Sequence, residues 1–433
     1  MMPCASSPQQ SCRWRRSSLI VLRHLRGLEA FGRGEMRGLV FGERGLTLPN
    51  DPRASAEPLG DLAVGGYRHG SWTGQWAAVA QFTELVTSWQ ATTPPGTWLR
   101  VDIQARSSSV ERSRWFTLAR WAYHDGGIHR ASVPGQRSGD VAVDVDTLRA
   151  DPGRFLNGYR PRLTLYAGDQ QNPPSPALRG LSVMTSAIPD RATVATSTPA
   201  GTPLRTPATT PAGTAVGTRG GAPGGAARVL LDVPAYSQHV HRGHLPQFGG
   251  GGEAWCSPTS TRMVLDYWGC RLDPHALAWV GPNHPDPQVD HAARHTYDYA
   301  YRGTGNWSFN TAYAAHAGLD AYVTRLASLR DAERYLAGGV PLVLSLSFRA
   351  DELDGAGYGT DGHLLVLRGI APNGDAIVND PAGGADAVCR VYDRGQFETA
   401  WLRSRRRRDD GTAARGPGGI AYVIRRDRAA ATR

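Results

Sequence analysis

Between Gly60 and Ala187 apolar and polar residues alternate with a period of two. In Trp98 to Arg106, Leu99, Val101, Ile103 and Ala105 alternate with Arg100, Asp102, Gln104 and Arg106, the pattern of a half-buried antiparallel strand. Similar runs cover Arg114 to Ala122, Val141 to Val145, Tyr159 to Tyr166 and Leu178 to Met184, and Pro94-Pro95-Gly96, Asp125-Gly126-Gly127 and Asn157-Gly158 read as turns between them. Short strands at this spacing predict an all-β sandwich over residues 60–186, with 1–59 left as a segment of undetermined structure. The pattern then lapses. Residues 187–227 are rich in Thr, Pro, Ala and Gly and contain no aromatic side chain. They bury too little apolar surface to offset ordering entropy, which predicts a disordered linker.

Patterning resumes at Val229 and fills residues 228–427. VLLDVPAYSQ reads as a strand ending near Gln238, and Met263, Val264, Leu265, Tyr267 and Trp268 recur at helical spacing. Phe309, Ala312 and Tyr313 fall on one helix face, and Ser328 with Asp331 predicts an N-capped helix from Leu329 to Ala337. Leu342 to Phe348, His363 to Ile370, Ala376 to Asn379, Val388 to Tyr392 and Ala421 to Ile424 read as strands. Helices followed by an antiparallel sheet make an α+β order.

The stretch GGGGEAWCSPTSTRMVLDYWG places Cys256 at or just before a helix N-terminus, because Pro258 suits a first turn and Gly269 a stop. The positive end of a helix favours the thiolate, the nucleophilic form of cysteine, and the glycines ahead of it read as a flexible run open to substrate. His363 opens an otherwise apolar strand, and Asp380 closes the next one. Alone, Cys256 is an ordinary buried cysteine, His363 a structural histidine and Asp380 an Asp-Pro turn. Together they supply nucleophile, base and orienting carboxylate.

The order Tyr236-Ser237-Gln238, Trp255-Cys256-Ser257-Pro258-Thr259, Gly362-His363-Leu364-Leu365-Val366 and Asn379-Asp380-Pro381-Ala382 resembles the papain-like cysteine peptidases of the bacteriocin double-glycine-leader family (cysteine peptidase family thirty-nine), in particular their stand-alone bacterial relatives. The resemblance covers about residues 229–426. It implies a papain-like cysteine peptidase domain whose catalytic residues are Cys256, His363 and Asp380, with Gln238 as oxyanion donor rather than Gln247, which lacks the Tyr-Ser-Gln context. Ser257 stands where many relatives have glycine, which is expected to hinder close substrate approach. The chain carries neither the membrane spans nor the GxxxxGK[ST] loop of the transporter-linked members, so export-coupled leader cleavage does not carry over.

Composition changes the picture little. The net charge of +10 comes from arginine alone, no stretch interleaves arginine with aromatics, and no nucleic-acid partner is indicated. No apolar run reaches the roughly 20 residues of a membrane span. The five cysteines show no CxxC or Cys/His zinc pattern, so no metal and no cofactor is expected; Cys270 and Cys389 are either a bridge or independent thiols. Leu19 to Leu22, after Arg13, Arg15 and Arg16, outline a secretory signal too short to serve as one, whereas the Thr/Pro-rich linker favours a secreted or cell-surface protein. Trp72, Trp76, Trp89, Trp98, Trp115 and Trp121 make the sandwich a candidate binder of cell-surface polysaccharide, although aromatics in strands are more often core.

The expected function is peptide-bond hydrolysis on a peptide or protein substrate. A catalytically silent binding or adhesion protein, and a cell-wall amidase or transferase using the same residues, are the competing readings. Limited proteolysis is expected to cut first within residues 187–227, with the piece from Val229 folding alone; a boundary resistant to cleavage contradicts the linker assignment.

Overall fold

The computed structural model describes residues 19–49, 66–107, 109–168, 174–187, 228–407 and 410–427. The predicted linker lies outside them except for Ala187, which closes a strand.

The N-terminal unit is a sandwich of two antiparallel sheets. One has eight strands and includes Glu84–Thr92, Val141–Asp144, Thr147–Ala150 and Ala177–Ala187; the other has six and is centred on Leu156–Gly168 and Thr97–Ser107. All five predicted runs are strands within a few residues of their expected ends. The exception at Val145 has a local cause: the strand stops at Asp144, and Val145 turns the hairpin with φ of +51°. Positive φ is costly for a β-branched residue.

Two expectations are corrected. Residues 1–59 are not all outside the sandwich, since Leu19–Arg26 pairs along its length with Ala177–Ala187, and Val40–Gly42 and Gly45–Thr47 extend the same sheet. Within the stretch that resembles a short signal, Ile20 and Leu22 belong to a strand and pack against the core. The tryptophans are also not a sugar-binding face. Trp72, Trp89, Trp98 and Trp121 are buried, while guanidinium groups cover the half-buried rings of Trp76 and Trp115, with Arg162 4.3 Å from the Trp115 centroid.

The C-terminal unit is a seven-stranded antiparallel sheet with helices packed on it. Its order is Asp320–Arg325, Ile420–Arg425, Leu342–Phe348, Thr360–Ile370, Ala376–Asn379 and Cys389–Tyr392, with Val229–Leu230 also pairing to Thr360–Ile370. Helix Leu329–Ala337 has its predicted cap, Ser328 accepting from the Asp331 amide. The strand expected to run to Gln238 stops at Leu230, and the chain beyond it is held by side chains instead: Asn379 Nδ2 donates to the carbonyls of Val233 and Pro234, both at 3.0 Å.

The units are docked rather than merely tethered. Trp89 and Trp121, one from each sandwich sheet, lie 6.2 and 5.2 Å from the ring of Phe309 in helix Trp307–His316. The outermost strand of the peptidase-side sheet, Asp320–Arg325, is buried throughout because strand Glu84–Thr92 covers it. Ser88 Oγ accepts from the Val323 amide at 2.8 Å, Gln90 donates to Asp320 at 2.8 Å, and Glu84 pairs with Arg325. An edge strand has unpaired backbone groups, and Ser88 supplies a partner for one of them, the Val323 amide.

Proteolytic pieces separated within residues 187–227 are therefore expected to stay together in native gel filtration, and the intact protein to melt in one calorimetric transition. Trp89→Ala should cost about 3–5 kcal/mol, the usual range for emptying a buried tryptophan site. Two independent transitions in the intact protein would contradict a shared core.

Candidate active site

Cys256 is the first residue of helix Cys256–Tyr267, as the sequence predicts, and is buried. The glycines before it are not a loose loop. Gly249, Gly250, Gly251 and Gly252 have φ of +92°, +77°, +63° and +54°, and a Cβ on Gly251 would lie 1.8 Å from the His241 carbonyl oxygen. Only glycine permits that approach, so the run is a fixed turn that sets the start of the helix. Trp255, fully buried, donates to the Phe248 carbonyl at 2.8 Å and closes the turn.

Ser257 does not crowd the approach to the thiol. Its side chain is buried against the sheet, 3.1 Å from the Tyr422 hydroxyl, and Ser260 donates to the Leu364 carbonyl at 3.0 Å. The first contact holds the cysteine helix to strand Ile420–Arg425 and the second to the strand that carries His363. Cys270 and Cys389 are free thiols in different surroundings, the first near the Ala317 carbonyl and the second beside Asn379 and Arg368.

His363 lies in strand Thr360–Ile370, and Asp380 directly follows the neighbouring strand Ala376–Asn379. His363 Nε2 is 2.8 Å from Asp380 Oδ1, so Nδ1 is the ring nitrogen left for the cysteine. Asp380 is wholly buried and surrounded by donors: the Ala382 amide at 3.0 Å on Oδ1, and the hydroxyls of Tyr358 at 2.9 Å and Tyr392 at 2.6 Å on Oδ2. Arg390 stands 4.0 Å from Oδ2.

Electrostatics follow from this enclosure. Burial pushes the Asp380 carboxyl up, but the charge of His363 and the hydrogen bonds from His363, Tyr392 and Tyr358 hold it well below the usual carboxylate range. Burial pushes His363 down, yet Asp380, and secondarily Cys256, raise it to about 10. Burial likewise pushes the Cys256 thiol up, and its hydrogen bond to His363 and that ring's charge outweigh this, leaving the thiol below its ordinary value. These directions favour a thiolate–imidazolium pair backed by a carboxylate.

Gln238 opens the turn Gln238–His241 and is buried. Its backbone N–H donates to the Pro381 carbonyl at 2.9 Å, and Ser237 Oγ donates to the Gly383 carbonyl at 2.6 Å. The loop after Asp380 thus also locates Gln238. Sequence reading missed Tyr358, Tyr392 and Arg390, for nothing in the local pattern singles them out.

Cys256 opens onto a cleft of about 580 Å³ between the two units. Glu84 and the Asp144–Thr147 turn of the sandwich form one wall; Tyr301, Arg302 and Gly362 contribute from the other unit. Asp146 accepts from the Trp307 amide at 2.7 Å, anchoring the turn to a helix start, and burial pushes its carboxyl up to about 6.

A family model described as Peptidase C39 N-terminal domain matches residues 21–186, and one described as Peptidase_C39 like family matches residues 230–408. Among curated proteins, none matches the sequence. The chain is also similar to a solved structure of a protein described as a C39-like peptidase from Bacillus anthracis, with 18% identity over 46% of this chain and 98% of that one and a TM-score of 0.28. A likeness that distant bears on neither fold nor activity.

Alkylation of Cys256 by iodoacetamide is expected to titrate below the roughly 8.5 of a free cysteine. His363→Ala should raise that pKa, because burial then acts uncompensated, and slow alkylation at neutral pH. An unshifted wild-type profile that is indifferent to His363→Ala contradicts the pairing.

Proposed function

The chain belongs to the peptidase C39 family, and from that premise we propose that it is a cysteine peptidase in which Cys256, His363 and Asp380 form the catalytic triad and Gln238 the side-chain oxyanion donor. The observation that carries the proposal is the continuous link from thiol to imidazole to buried carboxylate, with the thiol pKa lowered and that of the imidazole raised. A helix-borne cysteine facing a histidine and an aspartate on adjacent antiparallel strands is how a papain-like domain presents these groups.

In the proposed reaction the Cys256 thiolate adds to the carbonyl carbon of the scissile peptide bond, and the carbonyl electrons move onto oxygen. Backbone N–H groups at the cysteine and the Gln238 side-chain amide stabilise that oxyanion. As the C–N bond breaks, imidazolium His363 gives its proton to the leaving amine, and a thioester remains. His363, now neutral, takes a proton from water as it attacks the thioester and keeps it while the sulfur departs as thiolate, which restores the starting pair. Asp380 keeps the ring oriented and compensates its charge without taking the proton.

The substrate is a peptide or protein segment entering the cleft between the units. Because the Asp144–Thr147 turn forms a wall beside Cys256, the sandwich takes part in selecting substrate. The secreted or cell-surface location suggested by the linker composition is part of the proposal.

Cys256→Ala is expected to abolish release of peptides from casein with little change in melting temperature, whereas Cys270→Ala and Cys389→Ala should spare it. Gln238→Ala should lower kcat by about 10²–10³ with a small effect on KM, the usual loss for one oxyanion donor. Asp380→Asn should lower turnover less than His363→Ala. Release of fragments from peptidoglycan with casein untouched would replace the peptidase with an amidase, and inertness on both, with an unreactive Cys256, would leave a binding protein.

A further inference from the structure

A second cluster of chemically competent side chains lies behind the glycine turn, apart from the triad. His241 ends the short turn that begins with Gln238, His244 follows three residues on, and Asp290 projects from helix Pro287–Thr296. One ring nitrogen from each histidine and one Asp290 oxygen lie within 4.8 Å of one another. His241 Nδ1 is 3.2 Å from Asp290 Oδ2, and His244 Nδ1 faces Asp290 Oδ1.

Burial makes this grouping informative. Asp290 has no exposure, His241 has 1%, and the His244 side chain 13%. Yet both Asp290 carboxylate oxygens, both ring nitrogens of His241 and Nδ1 of His244 are buried without a hydrogen-bond partner. A buried carboxylate left without hydrogen bonds costs several kcal/mol, and native proteins rarely leave one. The three residues approach one another closely, but not with hydrogen-bond alignment.

A cation between them resolves this. Zinc takes imidazole nitrogen and carboxylate oxygen at ~2.0–2.2 Å in a tetrahedral array, which places neighbouring ligand atoms about 3.3 Å apart. His241 Nδ1 and Asp290 Oδ2, 3.2 Å apart, stand at that spacing, whereas His244 Nδ1 lies closer to Asp290 Oδ1 and would have to move outward to bind. Two nitrogens and one oxygen suit zinc better than calcium or magnesium, which take oxygen ligands. The His284 ring stacks on His244 at 3.4 Å between centroids and steadies it.

We propose that His241, His244 and Asp290 bind one zinc ion, with water completing the coordination, as a structural site. None of the three lines the cleft beside Cys256. The ion would instead tie the Gln238–His241 turn to helix Pro287–Thr296, fixing from behind the segment that also meets the Pro381 carbonyl. The spacing His-x-x-His in HVHRGH is the only sequence sign of it, and the third ligand is far along the chain.

The test uses full-length protein carrying Cys256→Ala, so that the thiol cannot take the metal. After stripping with dipicolinate, zinc is titrated by calorimetry and the melting temperature followed; cobalt is added separately and its visible absorption recorded. The expected result is one zinc per chain, a higher melting temperature on rebinding and the intense bands of four-coordinate cobalt. Adding His244→Ala, at the rim of the cluster, should abolish all three while leaving the far-ultraviolet dichroism intact, and Asp290→Asn should weaken zinc binding at least roughly tenfold. Failure of the stripped protein to bind zinc, or equal binding with and without His244→Ala, overturns the site. Neither result depends on whether the protein cleaves peptides.

Discussion

A carboxylate with no solvent exposure must be answered by donors, and Asp380 organises its surroundings accordingly. Leaving such a charge unpaired would cost several kcal/mol. The chain meets it with His363, the Ala382 amide and two tyrosine hydroxyls. Those donors come from separate places: the histidine strand, the loop after Asp380, the segment before the histidine strand and the strand ending at Tyr392. Satisfying one buried charge therefore fixes their relative positions. The same loop receives the Gln238 backbone N–H on the Pro381 carbonyl and the Ser237 hydroxyl on the Gly383 carbonyl. The local geometry of the oxyanion candidate and that of the histidine thus share one origin.

The thiol benefits from the same charge at one remove. Burial alone would favour the neutral thiol, and the helix N-terminus offers only partial compensation at this depth. Asp380 raises the pKa of His363, and the charge and hydrogen bond of His363 lower that of Cys256. Loss of the carboxylate would therefore reach the sulfur without touching it. In the proposed reaction, preorganisation of this kind would place the developing charges of acyl transfer where their partners are already fixed.

Docking of the sandwich solves a different problem. The outermost strand of the peptidase-side sheet would otherwise present open backbone groups, and Phe309 would face water. Strand Glu84–Thr92 covers the first, and Trp89 with Trp121 cover the second. Once seated, the sandwich brings the Val145 turn to the edge of the cleft, held there by Asp146 on the Trp307 amide. A cleft wall is the consequence of packing that stability already requires.

The sequence by itself determined the local features. Glycines followed by Cys256 and Pro258 specify a helix start, period-two alternation specifies most of the strands, and His363 and Asp380 stand out because each is a polar residue at an apolar strand end. Such signals lie within a few residues and need no partner to be read. What remained hidden depends on residues far apart in the chain. Leu19–Arg26 is a strand only because Ala177–Ala187 pairs with it. Trp72, Trp89 and Trp121 became core rather than binding surface when two sheets and helices closed over them. Tyr358 and Tyr392 are unremarked tyrosines until the sheet aligns them on one carboxylate, and the glycine run looked flexible until the His241 carbonyl came within contact of Gly251. Only tertiary structure decided these, because burial and electrostatic pairing are properties of three-dimensional neighbours, whereas helix starts and strand periodicity are properties of adjacent residues.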